Sequence, residues 1–251
     1  MPSDDTQSWT SNLPSSKEHQ GLIPTANKQG YMLREPDCLM TDFASFARNK
    51  TVVDVGAAYG VASKLALDSG AQRVIAVDPA ADHITYMEKH LKPHYSDKLQ
   101  LLKAAFPCEL GIQNGEVDAF LLSRILHFIP PEKVESLLES IYDYLASDGK
   151  IFILTLSIYV SYFSEHLPAY EKKKSAGEKW PGLIDNLHEN LPEEDKAHNP
   201  RFIHLFTTET LTSLLQSKGF IIEECRYSSQ EAYPEEMQNG KEDVVLVARK
   251  P

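Results

Sequence analysis

The stretch TVVDVGAAYGVASKLALDSGAQRVIAVDP, residues 51–79, decides the fold of this 251-residue chain. It begins with a β-branched apolar run, passes through a turn of small residues, continues with helical spacing and ends in a second β-branched run. Continuous apolar strands separated by helices are typical of a parallel sheet that is covered on both faces. The stretch therefore predicts a strand–helix–strand unit of such a sheet.

The same alternation continues after residue 79. Further helix and strand patterns follow in ADHITYMEKHL, KLQLLKAAF, VDAFLLS, PPEKVESLLESIYDYL and KIFILTL. Near the end, a Thr-capped helix, TTETLTSLLQSKGF, precedes the strand patterns FIIEECRY and KEDVVLVAR. We therefore predict an α/β fold with a doubly wound, Rossmann-like sheet, mostly parallel, with helices on both faces and an antiparallel strand at one edge.

The turn after the first strand carries the sharpest chemical signal. Gly56, Ala58 and Gly60 alternate there, and small residues let the backbone turn tightly and come close to a ligand. The second strand ends in Asp78, about twenty residues downstream, where an acidic residue of this architecture accepts hydrogen bonds from ribose hydroxyls. The spacing predicts a site for a nucleotide-like ligand.

These motifs resemble those of the class I S-adenosylmethionine-dependent methyltransferases, over roughly residues 48–156 with a weaker echo in residues 205–248. The resemblance implies S-adenosyl-L-methionine as the cofactor. It places Asp54 near the amino-acid end of the cofactor, Gly56 close to it and Asp78 at the ribose. The full set of implied cofactor-binding residues is Asp54, Gly56, Ala57, Ala58, Gly60, Asp78, Pro79, Ala105, Phe106 and Ser123.

Two positions depart from the family pattern. Ala58 stands where the second glycine is usual, and Ala104-Ala105-Phe106 lacks the acidic residue that commonly binds the exocyclic amine of adenine. Adenine contact would then rest on backbone groups and on packing by Phe106. The alternative, a dinucleotide-binding oxidoreductase, needs the pattern G-x-G-x-x-G, which is not present in GAAYG. The glycine pattern therefore favours the methyltransferase.

Composition and periodicity divide the chain into five segments. Residues 1–20 are polar and predict a flexible N-terminal arm. Residues 21–48 predict a helical cover of one or two helices, and residues 49–156 the cofactor-binding core. Residues 157–204 break the alternation and predict a helical insertion that acts as a lid or binds substrate. Residues 205–251 complete the core.

Two histidines are the candidate catalytic residues. Methyl transfer from a sulfonium is an in-line displacement, and a base is needed only if the acceptor must lose a proton. His127, in the motif SRILHF at the end of the fourth strand, and His204, before the last helix, could supply one. His127 could equally be a hydrogen-bonded residue beside the helix entry. Aromatic residues of 157–204 could enclose a planar acceptor or form a small core of that segment.

Composition limits the partners. The formal net charge of −11 repels phosphate backbones, so we expect no nucleic-acid partner. There is no apolar run of about eighteen residues and no basic-then-apolar start, which predicts no membrane association and a cytoplasmic protein, although a non-cleaved secretion signal would escape this test. Cys38, Cys108 and Cys225 lie far apart without metal-ligand spacing, so no metal site is expected.

Three functions remain open at this point. The leading hypothesis is methyl transfer to a small-molecule acceptor by in-line displacement. The same chemistry on a protein is the second, since the acidic chain would suit a basic peptide. The third is a non-catalytic protein on a methyltransferase scaffold, because a fold does not fix a function. The sequence makes no prediction of the oligomeric state.

Overall fold

The computed structural model describes residues 13–14, 21–27, 30–189 and 200–251. The predicted flexible arm, residues 1–20, lies outside the described residues except for Leu13 and Pro14. Strands, in chain order, are β1 (Leu22–Pro24), β2 (Tyr31–Leu33), β3 (Thr51–Val55), β4 (Arg73–Asp78), β5 (Leu99–Lys103), β6 (Val117–Ser123), β7 (Leu145–Leu156), β8 (Leu183–Ile184), β9 (Ile203–His204), β10 (Ile221–Ser228) and β11 (Asp243–Arg249).

The described residues also form six α-helices and three short 3₁₀ turns. The helices are α1 (Cys38–Phe46), α2 (Val61–Asp68), α3 (Ala81–His90), α4 (Pro131–Tyr144), α5 (Leu167–Ser175) and α6 (Thr208–Ser217). The 3₁₀ turns are Leu126–Phe128, Ser161–His166 and Glu235–Met237. Within the part of the chain that the structure describes, no helix combines the length and the apolar composition needed to span a bilayer.

Seven strands form the central sheet, in the order β10-β11-β7-β6-β3-β4-β5. Strand β3 pairs in parallel with β4 on one side and with β6 on the other. Strand β11 runs antiparallel to both β7 and β10, so the reversed strand is second from the edge. The predicted doubly wound, mostly parallel sheet with antiparallel pairing at one edge is confirmed.

The central strands divide the core into two layers. Successive side chains of a strand point to opposite faces, and accordingly Val52 packs with α1, α2 and α3, whereas Val53 packs with α4 and α6. Both side chains are fully buried. Burial on both faces explains why these strands consist of continuous apolar runs.

The chain order places a switch point between β3 and β6. From β3 the chain winds outward to β4 and β5, and then returns to add β6 and β7 on the other side. In open sheets of this kind, a crevice forms at the carboxyl ends of the two strands where the winding reverses. The residues that follow β3 and β6 therefore face a common opening.

Residues 21–48 are not the purely helical cover that the sequence predicted. Strands β1 and β2 pair antiparallel, with Leu22 opposite Leu33, and only α1 is helical. Pro24 lacks a backbone N–H and Gly30 has a φ of +86°, and both features favour a hairpin over a helix. Helix α1 begins after Asp37, whose Oδ1 accepts a hydrogen bond from the backbone N–H of Met40 at 2.9 Å.

The described residues of 157–204 form a small unit with its own apolar core. The unit contains α5, one 3₁₀ turn and the short pair β8–β9. Its buried side chains pack against each other and are Ile158, Val160, Phe163, Tyr170, Ile184 and Ile203, joined by Leu205. Phe163 and Tyr170 therefore belong to the segment's own core, whereas Trp180 packs against the main core and Tyr162 is exposed.

Candidate active site

The turn at residues 56–60 leaves β3 through left-handed backbone conformations. Gly56 has a φ of +73° and Ala58 a φ of +47°. A Cβ atom on Gly56 would also lie 2.3 Å from Cγ2 of Ile125, so only glycine fits there without a rearrangement. The turn therefore brings its backbone against the segment that follows β6.

A cavity of about 270 Å³ opens at the carboxyl ends of β3, β4 and β6. Nine of the ten predicted cofactor-binding residues line it: Asp54, Gly56, Ala57, Ala58, Asp78, Pro79, Ala105, Phe106 and Ser123. Gly60, the tenth, is not among the lining residues and instead begins α2 with a φ of +84°. The local motifs of four separate segments thus meet at one cavity.

Asp78 is held by three hydrogen bonds from protein groups. Its Oδ2 accepts from the backbone N–H of Ala58 at 2.9 Å, and its Oδ1 accepts from the backbone N–H of Ala80 at 2.8 Å. Nδ1 of His83 lies 2.9 Å from the same Oδ1. A carboxylate has about four acceptor positions, so Asp78 keeps the capacity for a further donor from the cavity.

Asp54 is a second buried carboxyl group in the cavity wall. The hydroxyl of Ser63 donates to its Oδ2 at 2.6 Å. Burial raises the pKa of Asp54 to about 6, with Ser63 opposing this rise and the negative charge of Asp78 adding to it. A positively charged ligand beside Asp54 would favour the ionised form and offset that cost.

The wall formed by residues 104–106 is apolar. Ala104, Ala105 and Phe106 line the cavity together with Ile129 and Leu137, and all are apolar. Asp54 and Asp78 are the acidic residues of the described lining. A planar base at this wall would be held by packing and backbone groups, as the sequence predicts.

The hairpin and α1 line a further part of the cavity. Tyr31, Met32 and Leu33 of β2 line the cavity, as does Met40 of α1. Phe128 adds an aromatic ring from the segment after β6. None of the described residues of 157–204 lines the cavity. The N-terminal segment, rather than the insertion predicted as a lid, therefore covers it.

Arg124 connects the start of α1 to the edge of the sheet. This residue has a φ of +58° and donates to Oδ2 of Asp37 at 2.6 Å, Oδ2 of Asp243 at 3.2 Å and the hydroxyl of Tyr233 at 2.9 Å. Burial alone would lower the pKa of Arg124, but these partners outweigh it and raise the pKa. Because the guanidinium is engaged in three directions, Arg124 fixes the covering segment in place.

The structure separates both candidate catalytic histidines from the cavity. His127 is buried, and its Nδ1 accepts a hydrogen bond from the backbone N–H of Leu156 at 3.4 Å. Burial lowers the pKa of His127 to about 3, with Arg124 and His204 adding to the effect. Such an imidazole stays neutral and is a weak base.

His204 is also enclosed by the protein. Its ring lies between Trp180 and Phe206, at centroid distances of 5.0 Å and 4.2 Å. Burial lowers the pKa of His204 to about 4. Neither His127 nor His204 is among the described residues that line the cavity.

His83 is the functional candidate that the sequence reasoning missed. It lies in the first turn of α3, five positions after Asp78, and lines the cavity. A histidine at that short spacing from Asp78, the predicted ribose-binding residue, is the signal that could have identified it. The described residues contain no group of three or more His, Cys, Asp or Glu side chains arranged to hold a metal ion.

Comparisons with known proteins agree with this geometry. Residues 52–149 match a family model described as "Methyltransferase domain". A SAM-dependent methyltransferase from Methanosarcina mazei has 17% identity and a TM-score of 0.62, over 86% of this chain and 98% of that one. An S-adenosylmethionine-dependent methyltransferase from Mesorhizobium loti has 18% identity and a TM-score of 0.58, over 82% and 93%.

A third solved structure is the 1,6-didemethyltoxoflavin-N1-methyltransferase of Burkholderia thailandensis, with bound 1,6-didemethyltoxoflavin and S-adenosylhomocysteine. It is similar at 18% identity and a TM-score of 0.54, over 85% of this chain and 78% of that one. The sequence has no match among curated proteins. The similar structures establish the fold, and the family model matches residues 52–149; both findings are consistent with a class I S-adenosylmethionine-dependent methyltransferase.

Proposed function

We propose that this protein transfers the methyl group of S-adenosylmethionine to a small, largely apolar acceptor. The observation that carries the proposal is the cavity at the switch point of the sheet. Asp54 and Asp78 line it from β3 and β4, and Met32, Met40 and Phe128 line it with apolar side chains. The same cavity thus offers polar groups for a cofactor and apolar surface for an acceptor.

The polar groups suit the two ends of the cofactor. Asp78 keeps acceptor capacity for ribose hydroxyls while its three protein hydrogen bonds hold its orientation. Asp54 offers a buried carboxylate to the positively charged amino-acid portion. Phe106 and Ala105 provide an apolar surface against which adenine can pack.

The acceptor side favours a small molecule over a peptide. Its lining from β2, α1 and Phe128 is apolar apart from the hydroxyl of Tyr31. A basic peptide would require acidic side chains, yet both acidic residues of the described lining belong to the proposed cofactor set. Concave, mostly apolar cavities with few polar groups are typical of small-ligand sites.

The proposed chemistry is a direct displacement without a histidine base. A lone pair of the acceptor forms a bond to the methyl carbon while the bond from that carbon to sulfur breaks, and the sulfonium becomes a neutral thioether. The protein positions the two reactants and excludes water. Because His127 and His204 lie outside the cavity, the acceptor brings a nucleophile that needs no proton removal by them.

A labelled-methyl screen tests this proposal. The protein is incubated with methyl-labelled S-adenosylmethionine and either a metabolite pool or a protein pool, with the Asp78→Asn variant as the control. We expect label in the low-mass fraction for the wild type and at least about a tenfold loss for the variant. Label only in macromolecules would show a protein acceptor, and label in neither fraction would contradict the transferase proposal.

A further inference from the structure

Both ring nitrogens of His83 are hydrogen-bonded, each to a different part of the protein. Nε2 lies 2.9 Å from the backbone nitrogen of Ala26, in the loop between β1 and β2. Nδ1 lies 2.9 Å from Oδ1 of Asp78, at the end of β4. The imidazole is buried, so these two contacts define its environment.

The contact with Ala26 determines the position of the ring proton. A backbone N–H can only donate, so Nε2 of His83 must accept and carries no hydrogen. The proton of the neutral imidazole is then on Nδ1, where it is donated to the carboxylate of Asp78. One imidazole therefore accepts from the covering hairpin and donates to the proposed ribose-binding residue.

Packing restricts the ring to this orientation. The ring of Tyr59, from the turn after β3, meets it edge-on at a centroid distance of 4.8 Å and an interplanar angle of 73°. The loop that carries Ala26 is held at its base, where the backbone N–H and the hydroxyl of Thr25 both donate to the carbonyl of Gly30. A movement of the hairpin would therefore act directly on the imidazole.

We propose that His83 is a positioning residue that couples closure of the β1–β2 hairpin to cofactor binding at Asp78. The inference rests on the proposed function, since Asp78 must bind the cofactor. When the Ala26 N–H donates to Nε2 of His83, it stabilises the tautomer that carries its proton on Nδ1. The hydrogen bond from Nδ1 to Asp78 then orients the carboxylate. By thermodynamic reciprocity, a ligand that requires the oriented carboxylate stabilises the docked hairpin.

Two substitutions separate the two hydrogen bonds. His83→Asn retains an amide N–H near the position of Nδ1, so it can donate to Asp78 but is too short to reach Ala26. His83→Gln places a carbonyl oxygen near the position of Nε2, so it can accept from Ala26 but leaves Asp78 without this donor. His90→Asn, at the other end of α3, is the matched control.

The experiment measures hydrogen-exchange protection of the Ala26 amide, with and without S-adenosylhomocysteine. In the wild type and in His90→Asn we expect the ligand to raise protection at least about tenfold. We expect His83→Asn to lose protection of this amide. His83→Gln should keep protection in the free protein and bind the ligand about tenfold more weakly.

Separate outcomes overturn the inference and the proposed function. If the wild type binds S-adenosylhomocysteine but Ala26 protection does not change with ligand, or is the same in His83→Asn as in the wild type, the coupling through His83 is wrong. If the wild type does not bind S-adenosylhomocysteine, the proposed function itself fails.

Discussion

The backbone N–H of Ala58 donates a hydrogen bond to Oδ2 of Asp78 across 2.9 Å, joining the turn after β3 to the end of β4. The two residues are twenty positions apart in the chain, and the bond is buried. The carboxylate of Asp78 therefore shapes the turn that forms the cavity, in addition to offering an acceptor to a ligand.

This relationship predicts a loss of stability when Asp78 is removed. Asp78→Ala leaves the buried N–H of Ala58 and the partly buried N–H of Ala80 without their acceptor, and a buried donor that loses its acceptor costs about 1–3 kcal/mol. We expect the free energy of unfolding, measured in urea, to fall by at least about 2 kcal/mol. Asp82→Ala, at an exposed position of α3, should change it by less than about 0.5 kcal/mol. Equal effects of the two substitutions would contradict a structural role for Asp78.

Gly56→Ala tests the close approach of the turn to the segment after β6. The new methyl would overlap Cγ2 of Ile125 in a backbone conformation that already disfavours alanine. Gly177→Ala is a matched control, since Gly177 has the same φ of +73° but nothing within 4 Å of the added atom. We expect the control to cost about 1 kcal/mol and Gly56→Ala to cost more, with loss of S-adenosylhomocysteine binding. A similar loss of stability in both variants would show that the overlap is relieved at little cost.

Asp54→Asn should stabilise the ligand-free protein at neutral pH while abolishing ligand binding. The pKa of Asp54 is raised from 3.8 to about 6, so the folded state binds more protons than the unfolded state between these values. The contribution of this group to stability is therefore present below pH 3.8 and lost as the pH rises through 6.

The Asp54→Asn variant has no carboxyl group at this position, so it does not lose stability in this way as the pH rises. We expect its advantage in unfolding free energy over the wild type to grow from near zero at pH 4 to about 1–3 kcal/mol at pH 7.5. Asp68→Asn, at an exposed position of α2, should show no such growth. An advantage that does not vary with pH would mean that the buried charge of Asp54 is not its origin.

Substitution of His127 should leave catalysis intact. His127→Asn retains a polar group, and the measured quantity is turnover per folded protein with whichever acceptor the labelled-methyl screen identifies. We expect a change of less than about threefold, because the imidazole is buried outside the cavity. Loss of a general base costs about a hundredfold or more, so a fall of that size would restore His127 as a base.

The sequence predicted those parts of the site whose signals are local. Asp54 is the next-to-last residue of β3 and Asp78 the last residue of β4, both apolar runs are visible in the chain, and the small-residue turn lies between them. The hairpin that covers the cavity was not predicted, because its position depends on contacts between residues far apart in the chain. Ala26 and His83 are 57 positions apart, and Asp37 and Arg124 are 87 positions apart. The aromatic residues of 157–204 have the same composition whether they form a lid or a small core, and only packing distinguishes the two.

The cavity between β3, β4 and β6 is the proposed binding site for S-adenosylmethionine. Isothermal titration calorimetry with S-adenosylhomocysteine tests this binding most directly, on the wild type, Asp78→Asn and the surface control Asp82→Asn. We expect one site per chain with micromolar affinity in the wild type and the control, and at least about a tenfold weaker affinity in Asp78→Asn. Absence of binding heat in the wild type across several temperatures, or equal affinity in all three proteins, would contradict it.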